Sequence, residues 1–362
     1  MAGTKIAGVS RASPEAWVGS SVAQRWPGAR PEAIVALKGD ASTRRFWRVA
    51  LRTSRVGRRA AAMVPTSSIA IDLGPDDLPL YARALRLVPE PLPEPPWLTM
   101  QRYLRAIDVA VPELYAADSA ARMLLVEDVG EVALFDAARR GDAADLYRLA
   151  ADQLLRFHLE GTKRLAPDCI AARVAYDERL FRWELDQFAE IGAAVVAPGV
   201  DRAAIAPELD DLATRLGRGE RVFSHRDYHG HNLFVQYGPA EPTLRVIDFQ
   251  DALMAPAAQD LAVLLTTRDT SRVITERVEQ RVLEYYYAAL IRRERAPAFD
   301  DFMESYRLCV LQHALKVIGR FVYLERNGKS GYAEYLPYAL AQARRMIARG
   351  ADFPALRAAL RE

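Results

Sequence analysis

The densest run of chemically capable side chains lies between Val222 and Asp260. It reads Val222-Phe223-Ser224-His225-Arg226-Asp227-Tyr228-His229-Gly230-His231-Asn232-Leu233-Phe234-Val235 and, after a turn, Leu244-Arg245-Val246-Ile247-Asp248-Phe249-Gln250-Asp251. Two short apolar runs, Leu233 to Val235 and Leu244 to Ile247, predict a β-hairpin that anchors the polar loops at its ends. Asp227 leads into the first strand, Asn232 immediately precedes it and Asp248 ends the second. Two carboxylates and one amide are therefore expected close together on a rigid support. Phosphoryl transfer asks little covalent chemistry of a protein; it needs a positioned divalent ion and an oriented nucleophile. Mg²⁺ prefers hard oxygen ligands from one or two carboxylates plus phosphates. Asn232 and Asp248 are candidates to supply them, which leaves Asp227 to accept the proton of an attacking hydroxyl. Three of the five histidines, His225, His229 and His231, fall in the same stretch, so a transition-metal site is the competing chemistry. No second ligand group with metal spacing appears elsewhere. His225 reads as packing the loop, and His229 and His231 as facing either substrate or solvent.

The elements that must position these residues change character along the chain. Before about residue 130 the best signals are short strands: Phe46 to Val49, Ala60 to Val64 and Met123 to Val126. Beyond it the pattern is mostly helical. One apolar face runs through Leu146, Leu149, Ala150, Leu154 and Phe157, and another through Tyr306, Cys309, Val310, His313, Val317 and Phe321. The proline-rich stretch Pro89 to Pro96 predicts an extended connector, because proline lacks a donor and restricts its predecessor. Residues 191–207, rich in Ala, Gly, Pro and Val, predict a second loop. The expected class is α+β, with a small β-rich lobe at 1–129, a larger α-helical lobe at 130–362 and a cleft between them.

Bulk properties narrow the function. A 362-residue chain that is 51% hydrophobic and 27% charged is globular, and a net charge of +2 gives no indication of a nucleic-acid partner. Cys169 and Cys309 stand far apart without CxxC spacing, which fits a reducing compartment. Neither a signal peptide nor a membrane-spanning apolar run is visible, so a cytoplasmic location and no membrane partner are expected.

His-Arg-Asp with an asparagine five positions after the aspartate, then Ile-Asp-Phe with Asp248 twenty-one positions after Asp227, resembles the aminoglycoside phosphotransferase superfamily. The resemblance implies a protein-kinase-like two-lobed fold and the use of ATP and Mg²⁺. It gives Asp260 a supporting role, holding the catalytic loop from the start of a helix. It also makes Met123 to Gly130 the strand and hinge whose backbone, around Glu127 to Val129, meets the adenine. Only eight positions separate Asp248 from Pro256, so no long activation segment fits and a protein substrate is disfavoured. Gly39-Asp40-Ala41-Ser42-Thr43-Arg44-Arg45 reads as a phosphate loop with a single glycine. There Ser42, Thr43, Arg44 and Arg45 would do the cradling. The strand lysine of kinases is missing, with Met63 near its expected place, and the helix expected at Trp97 to Ile107 offers no glutamate partner. Arg44 or Arg45 is a possible substitute, and a non-catalytic nucleotide-binding module is the alternative.

Gly-Asp-Ala-Ser-x-Arg-Arg at 39–45, Asp-Phe-Gln-Asp-Ala at 248–252, and Gln312 to Phe321 with Lys316, Gly319 and Arg320 narrow the resemblance further. Together they are similar to the bacterial N-acetylmuramate/N-acetylglucosamine anomeric kinases, over roughly residues 30–350. The stretch after Met63, Val-Pro-Thr-Ser-Ser, departs from that family's usual Asp-Ala-Pro. An amino-sugar substrate is implied, with His229, His231, Lys316 and Arg320 as candidate substrate contacts. A kinase of an aminoglycoside or a choline-like amine is the rival reading, and it would require an acidic pocket. Lys316 and Arg320, four apart on one helix face, otherwise pair with acidic neighbours or reach solvent. Glu184, in Arg182-Trp183-Glu184-Leu185, reads as a surface helix residue, with a hydrogen bond to a sugar hydroxyl as the alternative.

Overall fold

β-Branched and aromatic residues build a five-stranded antiparallel sheet in the first part of the chain. Its strands are β1 (Ala29–Leu37), β2 (Arg45–Thr53), β3 (Ser67–Asp72), β4 (Leu114–Asp118) and β5 (Met123–Glu127), in the order β1-β2-β3-β5-β4. One face is closed by helix α1 (Pro14–Arg25), which sequence reasoning did not place. Its start is encoded locally: the Ser13 hydroxyl accepts from the Ala16 amide at 3.3 Å, and Pro14 occupies the first turn. Val18, Val22 and Trp26 then pack with Ala29, Val49, Ala70 and Leu125 into one cluster. Burying each of these valines contributes roughly 1.5–3 kcal/mol.

The computed structural model describes residues 13–38, 43–53, 64–76, 78–88, 92–238, 241–350 and 352–361. They form two compact units, Met1–Asp77 with Pro112–Val129, and Leu78–Val111 with Gly130–Glu362. The division is therefore not a single cut at residue 129. The helix expected at Trp97 to Ile107 is α2 (Pro96–Ala106), and it packs in the second unit. Ala60 to Met63 lie outside the described residues, and the strand that pairs with β2 is Ser67–Asp72, in register from Arg45↔Asp72 to Ala50↔Ser67. It runs on as Leu73-Gly74-Pro75. The departure noted at Met63 therefore does not concern this strand, which ends in Asp72 and carries no lysine.

The second unit is helical around two small antiparallel pairs. Helices α3 (Ala143–Leu155), α4 (Glu178–Gln187), α5 (Arg202–Gly217), α6 (Ala257–Thr266), α7 (Glu276–Ile291), α8 (Phe299–Arg326) and α9 (Leu336–Ala348) surround β6 (Val222–Ser224) paired with β9 (Leu253–Ala255), and the hairpin β7 (Leu233–Gln236) and β8 (Thr243–Val246). The predicted hairpin and both predicted helical faces are thus present. The loop expected at 191–207 is confined to 197–201: a helical turn spans Ala193–Val196, and α5 starts at Arg202 with the Asp201 carboxylate accepting from the Ala203 amide at 2.9 Å. The helix runs on through Pro207, its sixth residue, and buries Ile205, Leu209, Leu212, Ala213 and Leu216. Among the described residues no helix is long and apolar enough to cross a membrane.

Two π-helical turns continue α3 and α4, at Arg156–Gly161 and Phe188–Gly192. The second meets α8 where both backbones carry glycine. A methyl group placed on Gly319 would sit 2.6 Å from the Phe188 amide nitrogen, and one on Gly192 would sit 3.0 Å from the Gly319 Cα. No side chain fits at this crossing. It brings α4 and α8 together, and α4 carries Glu184 while α8 carries Lys316.

Candidate active site

The loop after β6 is fixed from behind by Asp260. Both carboxylate oxygens are used: Oδ2 accepts from the His225 amide and Oδ1 from the Arg226 amide, each at 2.9 Å. His158, on the first π-helical turn, approaches Oδ2 at 3.2 Å with Nε2, while its Nδ1 lies 2.6 Å from the Tyr286 hydroxyl. Burial opposes ionisation of Asp260, but the bond to His158 and the His225 amide hold its carboxyl below the usual range. His225 ties the loop forward as well, with Nε2 2.9 Å from the carbonyl of Ile247, the residue before Asp248. Sequence reasoning had assigned neither His158 nor Tyr286. They lie 102 positions before Asp260 and on a helix after it, and no local spacing links them.

The chain then turns sharply. Arg226 sits at φ 76°, left-handed backbone that a non-glycine residue seldom adopts. The turn sends the Arg226 guanidinium toward α4 and sets Asp227 at the front of the loop. The Asp227 side chain keeps 36% of its surface open. The surroundings that desolvate it raise its pKa, but Arg226, Lys316, His229 and His225 outweigh that and hold the carboxylate ionised well below the ordinary range. Asn232 hydrogen-bonds back to the Asp227 carbonyl through Nδ2 at 3.0 Å, and its own carbonyl accepts from the Ile247 amide at 3.0 Å. Its side chain also lies 3.5 Å from Asp248 Oδ2. Asp248 stands at φ 63°, with Gln250 Nε2 donating to its Oδ1 at 3.0 Å. Asp227, Asn232 and Asp248 are thus brought together as their spacing predicts. Gln250, within the Asp-Phe-Gln-Asp-Ala run, orients the second carboxylate.

This donor set suits a hard cation. Among the described residues no group of three or more His, Cys, Asp or Glu side chains could hold a metal by itself. Asn232 is tied to the loop through its Nδ2, and its amide oxygen is a hard donor on a side chain close to the Asp248 carboxylate. One amide oxygen and one carboxylate are what Mg²⁺ takes from protein when phosphates and water complete its shell. The histidines do not form a rival metal site. His229 is buried, with Nδ1 3.3 Å from the His231 amide and Nε2 3.4 Å from Asn232 Nδ2. It folds the loop, and burial followed by Arg268 pushes its pKa well below the usual range. His231 packs on Phe135, with ring centroids 4.7 Å apart, and approaches Asp269 at 3.7 Å.

Behind Asp227 lies a charge network that the sequence did not reveal. Glu184, expected on a helix surface, is 4% exposed. Arg226 Nη2 reaches its Oε1 at 3.1 Å, Lys316 Nζ stands 3.3 Å from the same oxygen, and Gln312 donates to Oε2 at 3.0 Å. The Tyr176 hydroxyl also donates to Oε2. Burial raises the pKa of Glu184, but Lys316, Arg226 and these hydrogen bonds bring it below the ordinary value. Arg226 also lies over the Tyr81 ring at 4.0 Å. Lys316 therefore has an acidic neighbour, as one sequence reading allowed. Arg320, two turns from Gln312, lies over the Tyr323 ring at 5.4 Å.

The residues expected at the nucleotide lie in the first unit. Ser42 lies outside the described residues. Thr43 Oγ1 packs against Gly74, where a methyl group would meet it at 3.0 Å. Arg45 pairs with Asp72 at 2.6 Å, and the Gly74 amide donates to Asp72 at 2.9 Å. Arg44 is described in the turn before β2. At the end of β5 the Glu127 amide bonds to the Glu113 carbonyl at 2.8 Å, and Val129 is buried. Asp128 between them takes a two-pronged bond from Arg48, at 2.8 and 3.3 Å, which sequence reasoning did not anticipate.

A mixed α+β architecture whose catalytic-type loop is braced by the helix following the metal-type aspartate places the chain among phosphotransferases with a protein-kinase-like fold. More narrowly, it belongs to the phosphotransferase enzyme family, whose model matches residues 33–299. The N-acetylmuramate/N-acetylglucosamine kinase of Caulobacter vibrioides is 30% identical to it over 243 residues, 65% of each chain, so the match spans just under two thirds of that relative. The Pseudomonas aeruginosa enzyme of the same name is 29% identical over 322 residues, 87% of this chain and 84% of that one. Among solved structures, choline kinase from Cryptosporidium parvum has a TM-score of 0.60 at 14% identity, covering 95% of this chain and 99% of that one. At that identity the likeness is one of fold. The resemblance read from the motifs is therefore met both by the family and by relatives named for amino-sugar kinases.

Proposed function

We propose that the protein is an ATP- and Mg²⁺-dependent kinase of a small molecule, acting on a hydroxyl of an N-acetylated amino sugar, most simply its anomeric hydroxyl. The observation that carries the reading is the joint placement of Asp227, Asn232 and Asp248, with the loop held by both oxygens of Asp260. Bound Mg²⁺, held by Asn232 and Asp248, would supply charge neutralisation at the β- and γ-phosphates. Asp227 accepts a hydrogen bond from the substrate hydroxyl and orients its oxygen toward the γ-phosphorus. As the new P–O bond forms, the bond from the γ-phosphorus to the bridging oxygen breaks and ADP leaves with that oxygen. The hydroxyl proton passes to Asp227. A carboxylate kept ionised by Arg226 and Lys316 is a weak base, so it orients first and takes the proton late, in keeping with a loose transition state.

The substrate class is supported by the relatives' names and by charge. Arg226, Lys316 and Arg320 lie on the loop and on α8, where a cationic aminoglycoside or choline-like substrate would need carboxylates. In the same proposal Thr43, Arg44, Arg45 and Ser42 serve the nucleotide phosphates, and the backbone around Glu127 and Val129 serves the adenine. His229 and His231 shape the substrate side of the loop. The absence of a lysine from β3 keeps one alternative open, a module that binds nucleotide without turning it over.

The test is Mg²⁺-dependent ADP release against N-acetylmuramate, N-acetylglucosamine, other sugars and an aminoglycoside. Turnover on an N-acetylated sugar is expected, and Asp227→Asn should reduce kcat by roughly 10²–10⁴-fold while ATP binding persists. Turnover only on another compound would overturn the substrate. ATP binding with silence across the panel would favour the module.

A further inference from the structure

We infer that Arg320 is a specificity residue that reads a carboxylate on the sugar, so that the preferred substrate is an acidic N-acetylated amino sugar and not its neutral parent. The inference rests on the sugar-kinase reading above and deepens it.

Gln312, Lys316 and Arg320 recur every four residues along α8 and so share one face. The first two are engaged with Glu184. Arg320, the third, is half-buried, lies over the Tyr323 ring and forms no ion pair with a carboxylate among the described residues. It nevertheless belongs to the same electrostatic neighbourhood. Burial, followed by interactions that include repulsion from Arg226, lowers its pKa, while Glu184 acts in the opposite sense. Arg226 and Lys316 thus share Glu184 and act on Asp227, while Arg320 feels Glu184 and Arg226. Glu184 is already shared between Arg226 and Lys316 and is closed off by Tyr176 and Gln312.

A guanidinium carries five donors and no acceptor, and partial burial without an anion is unfavourable unless a ligand completes it. Its planar fork matches a carboxylate through two parallel bonds, which a neutral hydroxyl cannot reproduce. Of the two sugars in the relatives' names, N-acetylmuramate carries such a carboxylate on an ether arm and N-acetylglucosamine does not. The other anion available to a kinase is the nucleotide phosphate, and the experiment separates the two.

Steady-state kcat/KM would be measured on both sugars for the unaltered chain, Arg320→Gln and Arg320→Lys, with the KM for ATP measured alongside. Arg320→Gln is expected to lower kcat/KM roughly 10–100-fold on the acidic sugar and less than about 3-fold on the neutral one, leaving the KM for ATP in place. Arg320→Lys should fall between, because the charge remains while the fork is lost. Equal losses on both sugars, or none, would overturn the inference and leave the kinase reading standing. A raised KM for ATP with either sugar would reassign Arg320 to the nucleotide. Absence of turnover on both sugars by the unaltered chain would overturn both readings. Should Arg320→Gln not fold, the salt dependence of the unaltered chain decides: kcat/KM should fall with ionic strength for the acidic sugar alone.

Discussion

Two surface pairs of the first unit differ in kind from one buried set in the second. In the first, Arg45 and Asp72 meet at 2.6 Å across β2 and β3, with the arginine side chain 64% exposed, and Arg52 and Glu32 pair at 3.3 Å with both largely in solvent. In the second, Glu184 is 3% exposed at its side chain and holds Arg226 and Lys316, at 11% and 13%. Exposed pairs contribute little, because water already satisfies each partner. The buried set is different: desolvation makes it poor as a source of net stability, yet removing one member leaves the others uncompensated. Its effect is positional. It holds Arg226 and Lys316 where their fields keep Asp227 ionised.

The largest break in that comparison is Glu184→Ala. It should destabilise the second unit by about 3–5 kcal/mol, seen as a lower denaturant midpoint with kcat reduced as well. A loss below about 1 kcal/mol would mean that the network is no more consequential than the surface pairs. Gly319→Ala comes next. The added methyl group clashes with the backbone of Phe188, so about 1–3 kcal/mol is expected, with part of the kcat loss following because Lys316 moves away from Glu184.

Acid provides a third probe. Burial, then Lys316, pushes His313 down to about 3, and its Nε2 lies 2.8 Å from the Thr267 hydroxyl. In the unfolded chain histidine takes up a proton near pH 6.5, whereas folded His313 and His229 stay neutral. The unfolded state therefore binds more protons below that pH. Stability is full above about 6.5 and falls as pH is lowered, by at most roughly 1.4 kcal/mol per pH unit per histidine. The depressed pKa of Glu184 adds its own loss only below about pH 4.3. Melting at pH 7 and pH 5 should show the drop, and His313→Gln should flatten part of it; identical midpoints for the parent at both values would contradict the neutral buried histidines. Smallest of all, Arg52→Ala should change stability by less than about 1 kcal/mol in the same melts. A larger loss would give the first unit's pair a weight its exposure does not suggest.

Much of the site was legible because its residues lie within one stretch of chain. Asp227, Asn232 and Asp248 flank a hairpin whose strands announce themselves by apolar runs, and His225 and Asp260 follow from the motif. What could not be read were partners brought together by helix packing. Glu184 sits in Arg-Trp-Glu-Leu, which looks like any solvent-facing turn, and only the glycine crossing of α4 with α8 reveals that it is enclosed. His158 and Tyr286 meet Asp260 from elements far apart in sequence. In the first unit the strand signal at Ala60 to Val64 competed with Ser67–Asp72, whose alternation is weakened by two serines. Helix α1 was signalled by Ser13-Pro14-Glu15, a capping pattern placed before a stripe too short to stand out.

The backbone at Asp248 has an implication for how such a protein ages under selection. At φ 63° an L-residue costs about 1–2 kcal/mol relative to glycine. The position best suited to hold a cation is thus one where the chain would be more at ease without a carboxylate. Mutant libraries screened for thermal endurance alone would be rewarded for replacing the carboxylate proposed to hold Mg²⁺. Only a screen that also demands turnover would keep the aspartate.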